Sequence, residues 1–426
     1  MHKKYFNSIV LIRLWALSSR FLLIGLAAIE LTASDFGQWS LVLTTITLLS
    51  YIIGLDLYVP AVRALYEAKA RTEATTTLSA LALIYGLNFC LVCLALLGSE
   101  QFKIFTVGST PLLLVLPLLL FEHLSADANR QLNLLGQLKQ ANVVLLIRSS
   151  LPVVVFGICC LAGKNNLSNL LLSQLIGTGV ALWPACHNLK RYINEHFCST
   201  TFSSVALTPP VQPMVRKLLQ GCGLVFLTTC FLKAGQALDR QFLATLADMP
   251  RVGAYALTMA ASSAIASAID AVLISTSISK LLAAKKAEDR AMQISIHQHL
   301  RRRLLHLSSA LHFSALAAFI IVKLSISQTK YDFNLTEVAV LLAASLISNY
   351  SLADAALLFS LKKDKVSLWA AMVGLVALCL TILLLKNSIG ANAVACGVFV
   401  SAVCTWLARK FPVDSICANR YKPLPY

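Results

Sequence analysis

Five basic side chains stand where lysine and arginine are rare, inside long apolar runs: Arg13, Arg20, Arg148, Lys233 and Arg240. A charge at membrane depth costs at least ~2.5–3.5 kcal/mol on insertion scales, so such residues tend to face a bundle interior or a wet cavity. Arg13 and Arg20 are seven residues apart, as are Lys233 and Arg240, and Gln236 shares the second stripe. Seven residues make nearly two helical turns, which places each pair on one face, about 10 Å apart. A guanidinium suits bidentate contact with an oxyanion and an ammonium supplies a point charge. For Arg13, Arg148 and Arg240 a second reading stays open, in which the long side chain reaches back to the interface.

The acidic candidates are Asp56, Glu122, Asp127, Asp239, Asp270 and Asp354. Glu122 and His123 stand near the middle of one apolar run, while Asp56 and Asp270 each close another. A buried carboxylate without a counter-ion is suited to carrying a coupling proton. Paired, for example toward Arg130 two turns on, Glu122 would be structural. Asp239 beside Arg240 reads as charge balance, and Asp354 as a partner of the inner interface near Lys362. The twelve cysteines show no metal spacing. Cys90-x-x-Cys93 and the Cys159-Cys160 pair lie in apolar runs and read as small core residues. Neither zinc, nor a disulfide, nor a cofactor is expected.

The elements that hold these residues follow from composition. Hydrophobic residues make up 58% of the 426, charged residues 13%, and the mean hydropathy is +0.74. That leaves too little polar surface for a soluble domain and points to an all-α polytopic membrane protein. About twelve transmembrane helices are expected, over residues 7–29, 36–60, 76–98, 111–130, 141–162, 167–185, 216–246, 251–278, 304–324, 335–361, 366–386 and 389–408. The first reads as an uncleaved helix, because Arg13 and Arg20 interrupt it and no small-residue cleavage site follows. The stretch 216–246 exceeds one crossing, with Gly221, Gly223 and Gly235 as weak points.

With the N-terminus inside, the inner segments hold twenty-five Lys and Arg residues and the outer ones six. The contrast persists through every crossing, which sets both termini on the cytoplasmic side. The net charge of +17 is thus a topology signal that needs no nucleic-acid partner, although the inner face should attract anionic lipid. Residues 186–215, with Pro209, Pro210 and Pro213, read as a cytoplasmic linker between an N-terminal six-helix lobe (1–185) and a C-terminal one (216–408), with a cytoplasmic tail at 409–426. Residues 280–303 read as a basic amphipathic helix on the cytoplasmic surface.

An internal repeat supports the division. Gly37-Trp39-Leu41 follows Arg20 and a short acidic turn; Gly253-Tyr255-Leu257 follows Arg240 and another. Asp56 comes nineteen residues after its glycine and Asp270 seventeen after its own. The second copy starts after six crossings, so the two lobes are parallel repeats around a central cavity, the layout of an alternating-access carrier.

The stretches SDFGQWSLVLTTITLLSYIIGLDLYVPAVRAL and LDRQFLATLADMPRVGAYALTMAASSAIASAID resemble the openings of the two halves of Wzx-type polysaccharide-unit flippases, which share a superfamily with multidrug extruders. The resemblance implies translocation of an undecaprenyl-diphosphate-linked oligosaccharide, for O-antigen, capsule or exopolysaccharide, across a bacterial inner membrane. It implies polysaccharide polymerase and chain-length proteins as partners and a proton or sodium gradient as a driver. Arg20 and Lys233, with Arg13, Arg148 and Arg240, would then hold the diphosphate, and Asn349 and Tyr350 would meet sugar hydroxyls. A cation-coupled multidrug antiporter is the alternative within the fold, but such a carrier wants an acidic cavity. A membrane-embedded polymerase or glycosyltransferase is a further alternative, disfavoured because every outer loop is short.

The topology is testable with single cysteines placed in a background freed of the native ones. Cysteine at Lys164 should react with a membrane-impermeant maleimide in intact cells, and cysteine at Lys285 only after permeabilisation. The reverse pattern would invert the orientation.

Overall fold

The computed structural model describes residues 2–68, 71–102, 112–197, 211–325 and 330–418. Among them the regular structure is helical throughout. Contacts divide the chain into two compact units, Met1–Phe226 and Leu227–Tyr426.

The first unit contains α1 (His2–Glu30), α2 (Ala33–Gly54), a short α3 (Tyr58–Glu67), α4 (Arg71–Phe102), α5 (Leu112–Leu134), α6 (Leu138–Leu161) and α7 (Leu167–Phe197). α8 (Val211–Leu246) begins here and ends in the second unit, which continues with α9 (Met249–Ile269), a π-helical turn (Asp270–Ile274), α10 (Ser275–Lys286), α11 (Arg290–Ser325), α12 (Leu335–Ser360), α13 (Asp364–Ile389) and α14 (Asn392–Ala418). Leaving aside α3 and α10, twelve long helices coincide with the twelve expected spans. Nine stretches among the described residues are long and apolar enough to cross a membrane, and α8 makes a tenth if its two bent parts count as one span. α1 and α5, which carry the charged candidates Arg20 and Glu122, complete the twelve. α8 bends by 51° between Gln220 and Cys222, at one of the glycines expected to weaken it.

Several boundaries differ from the sequence reading; α14 runs on to Ala418, so the first part of the expected tail at 409–426 is helix. The second span ends at Gly54, because Leu55 and Asp56 both adopt left-handed backbone (φ 47° and 53°) and turn the chain into α3. α7 runs on to Phe197, so the first part of the expected linker is helix; residues 198–210, including Pro209 and Pro210, lie outside the described residues. The basic segment 280–303 is not one surface helix. It is broken after Lys286, where Glu288 has φ 54°, and its second part is the start of α11. Leu300 and Leu304 on that start are buried against Ala353, Leu357 and Val413 of α12 and α14. Apolar burial thus holds the segment to the bundle more firmly than basic charge would hold it to a lipid surface.

The repeat is visible in local geometry. α2 is capped by Thr32, whose hydroxyl accepts from the Asp35 backbone N–H at 3.0 Å; α9 is capped by Asp248, whose carboxylate accepts from the Arg251 N–H at 3.3 Å. Both caps stand five residues before the repeat glycine. Each satisfies a backbone donor that the helix itself leaves free. The aspartate at the other end marks an irregularity in both copies: the left-handed turn at Asp56 and the π-helical turn beginning at Asp270.

Helices in these units approach closely where side chains vanish. At Gly177 of α7 a Cβ would lie 2.5 Å from Pro152 Cγ of α6, a ring that cannot swing away. Gly177→Ala should therefore destabilise the purified protein by about 1–3 kcal/mol, the range for overpacking a filled site. Gly157→Ala on α6, with nothing within 4 Å of its new methyl, should not. Equal melting temperatures for both variants would refute the tight α6–α7 contact.

Candidate functional site

The first unit encloses a pocket of about 160 Å³ lined by α1, α2, α5, α6 and α7. Three charged residues reach it: Arg20 from α1, Glu122 from α5 and Arg148 from α6. Arg20 is ten residues from the end of α1, about 15 Å at the helical rise, or half of a ~30 Å hydrocarbon core. The rest of the lining mixes apolar side chains with Thr47, Gln174 and Thr178, and the Trp39 indole of α2 donates to Gln174 Oε1 of α7 at 3.2 Å. Ser19 and Ser150 join α1 to α6 through their hydroxyls at 3.0 Å, one residue from Arg20 and two from Arg148. Pro117 in α5 and Pro152 in α6 interrupt the helical hydrogen bonding beside the pocket.

The charges are not equivalent. Arg148 forks onto Glu122, with Nε donating to Oε2 at 3.2 Å and Nη2 donating to Oε1. Arg20 makes no ion pair or hydrogen bond among the described residues, and its side chain is exposed to the pocket. One carboxylate against two guanidinium groups leaves a net charge of +1 in the lining. A site so built presents one uncommitted guanidinium and a second held in place by an acid. An entering oxyanion can bind the first directly and share the second.

Two pairings expected from sequence are replaced. Glu122 meets Arg148, not Arg130, because α5 and α6 lie side by side and bring distant residues together. Arg130 instead donates to the Tyr51 hydroxyl at 3.1 Å and stacks over the Tyr51 and Tyr58 rings, 5.0 and 5.2 Å from their centres. Arg148 therefore does not extend to the membrane surface. In the second unit Asp354 meets His297 Nε2 at 2.8 Å rather than Lys362. Both are buried, and Arg409 beside them donates to Ser351 at 3.0 Å.

The remaining candidates fall in separate places. The Arg13 side chain lies outside the described residues. Lys233 Nζ donates to Gln236 Oε1 at 2.9 Å, so these two residues of the α8 stripe touch. Asp239 accepts from the Arg240 backbone N–H at 2.6 Å and from the Tyr255 hydroxyl at 2.8 Å. The Arg240 Nε is buried without a hydrogen-bond partner. Asn349 is buried on α12 with its Nδ2 unpartnered, while the Tyr350 hydroxyl and ring are both engaged by Arg301. Asp56 is buried in its turn and Asp270 exposed at the π-helical one. Sequence reading missed Gln174, Arg301 and His297 as partners. Each meets its counterpart across helices far apart in sequence, and no local spacing announces such a contact.

No protein-family model matches the chain, and no curated protein matches it in sequence. Solved structures do match in fold. One is a multidrug resistance MATE family transporter of the MOP superfamily in an inward-facing conformation, with a TM-score of 0.73 at 11% identity over 95% of this chain and 96% of that one. Another is the lipid II flippase MurJ in an inward closed conformation, with a TM-score of 0.71 at 14% identity over 95% of this chain and 87% of that one. The chain shares the fold of these two structures over nearly its whole length.

The Arg148–Glu122 pair can be weighed by a double-mutant cycle. Glu122→Gln alone should destabilise by about 1–2 kcal/mol, less than for a fully buried pair, since it leaves a part-buried guanidinium without its counter-charge. Glu122→Gln with Arg148→Met should recover most of that loss. Additive effects in thermal unfolding would mean that the two side chains do not interact.

Proposed function

We propose that this protein is a flippase that carries an oligosaccharide linked to undecaprenyl diphosphate across the bacterial inner membrane. The observation that carries the reading is the uncommitted Arg20 guanidinium at mid-depth beside the Arg148–Glu122 fork. A diphosphate has several acceptor oxygens and at least two charges, and it matches a pocket whose own charge is positive. Arg20 takes one phosphate group. Arg148, positioned by Glu122, turns one face toward the other. Lys233 and Gln236 on α8, with Arg240 and Arg13, are the further polar contacts assigned to the translocation path, and Asn349 meets a sugar hydroxyl. The Tyr350 hydroxyl and ring are already engaged by Arg301. The polyprenyl tail stays in lipid, and the site is exposed alternately to the two sides.

Two features weigh against the multidrug antiporter that shares this fold. Export of an organic cation wants a carboxylate free to meet it, and Glu122 is occupied by Arg148. Pockets that enclose drug-sized ligands measure roughly 300–1,000 Å³. This one, at about 160 Å³, fits a headgroup anion better than a whole drug. The orientation assigned from basic loops, both termini cytoplasmic, places loading on the side where lipid-linked units are assembled.

The test uses proteoliposomes and a fluorescently labelled polyprenyl diphosphate whose outer-leaflet copies are chemically quenched. Wild-type protein should make the inner-leaflet label accessible, and Arg20→Ala should slow this by about tenfold or more, the cost of losing one charge-assisted contact of ~1.5–3 kcal/mol. Arg20→Lys should retain part of the rate. Unchanged movement in Arg20→Ala, or efflux of a lipophilic cation in place of the lipid, would refute the reading.

A further inference from the structure

One turn beyond the pocket, α5 carries a second buried polar cluster that the anion site does not use. Asp127 is 4% exposed and accepts a short hydrogen bond from Gln131 Nε2 at 2.6 Å. The Tyr85 hydroxyl on α4 faces the same carboxyl. Tyr85 is 6% exposed and its hydroxyl has no hydrogen-bond partner. Its ring packs edge-on against His123, with centroids 4.6 Å apart. His123, 3% exposed, has Nδ1 at 3.3 Å from the Ser50 hydroxyl of α2 and Nε2 buried without a partner. Gly54 leaves room for that ring: a Cβ there would stand 2.9 Å from His123 Cε1.

This cluster differs from the carboxylate of the pocket in what surrounds it. Glu122 has a guanidinium forked onto it, whereas the donor bonded to Asp127 is a neutral amide. The charged groups near Asp127 are Arg130, one turn on along α5, and Asp56 in the turn after α2. Arg130 spends its guanidinium on Tyr51 and Tyr58, the titratable groups of α2 and α3 that face this end. A buried ion without a bonded counter-charge is costly, so such a site is completed by a cation from outside. A hard metal ion asks for a shell of several oxygens. No group of three or more His, Cys, Asp or Glu side chains that could hold a metal is gathered among the described residues. A proton needs one acceptor.

Resting on the flippase reading above, the geometry points to Asp127, walled in by Tyr85 and His123, as the coupling proton site of the first unit, in place of Glu122. One proton adds to an Asp127 oxygen and later leaves it; no bond of the substrate changes. The link to transport is α5 itself. Glu122 and Asp127 are five residues apart on one helix, about 7.5 Å along its axis, with His123 between them. An anion that draws on Arg148 loosens its hold on Glu122, and any shift of α5 that follows moves Asp127 relative to Tyr85. Coupling so transmitted is reciprocal: proton occupancy changes anion affinity by the same factor that the anion changes proton affinity.

Two measurements test this separately. Infrared difference spectra of the reconstituted protein between low and high pH should show a protonated-carboxyl band that is lost in Asp127→Asn, kept in Glu122→Gln and indifferent to sodium. A band that survives Asp127→Asn, or one that follows sodium, overturns the proton site. In proteoliposomes, an imposed gradient of one pH unit should drive the labelled polyprenyl diphosphate to a leaflet ratio of up to about tenfold for one coupled proton, since 1.4 kcal/mol is a factor of ten. Asp127→Asn should bring the ratio to one while still allowing exchange, and Asp127→Glu should restore a gradient. A wild-type ratio of one with the Asp127 band intact overturns the coupling. A wild type that moves no label at all overturns the lipid-linked reading, whatever the spectra show.

Discussion

A charge held at the middle of a bilayer must be answered inside the protein, because lipid offers nothing to answer it with. In the first unit that requirement is met by one contact, the fork of Arg148 onto Glu122. It joins α5 to α6 and fixes the depth of both. It also decides which charge in the pocket is left available. Were Glu122 free, it could pair with Arg20 or meet an entering cation. With Glu122 engaged, Arg20 is the group that an entering ligand meets. The hydrogen bond between Ser19 and Ser150, and the contact of Gly177 with Pro152, then hold α1 and α7 close to this pair.

Much of the fold was legible in the residues, for a physical reason. Hydrocarbon thickness sets the length of an apolar run, and every backbone group in lipid must be bonded within its own helix. Both leave a local trace, so the twelve spans and the bend of α8 near Gly221 could be found one at a time. The repeat was legible because Gly37-Trp39-Leu41 and Gly253-Tyr255-Leu257 share one spacing, and the caps Thr32 and Asp248 stand in the same register before them. Pairing was not. Glu122 with Arg148, Asp354 with His297, and Trp39 with Gln174 are contacts between helices, set by how the helices lie against one another. Nearest basic residue in sequence was the wrong rule for both acids. Segment 280–303 was misjudged for a related reason: its charges are conspicuous, while the leucines that bury its second part are spaced at helical intervals among them.

The second unit repeats the plan with different chemistry. Where Trp39 of the first copy bonds an amide, Tyr255 of the second bonds the buried carboxylate of Asp239. Where the first copy leaves α2 through a left-handed turn, the second leaves α9 through a π-helical one. Such turns expose backbone groups and are common where a helix must accommodate change. The scaffold is thus conserved between copies at the caps and the following aromatic, and the polar interior is free to diverge.

The length of α11 has a bearing on how the chain is made. Thirty-six residues rise about 54 Å, well beyond what a bilayer needs, and Arg301, Arg302 and Arg303 stand on the part that precedes the apolar stretch. In the orientation proposed, a nascent chain reaching this point carries a dense positive block that resists passage across the membrane. The last four spans then take their direction from α11 itself and not only from helices inserted before it. An error made early in synthesis has a second place at which it can be halted.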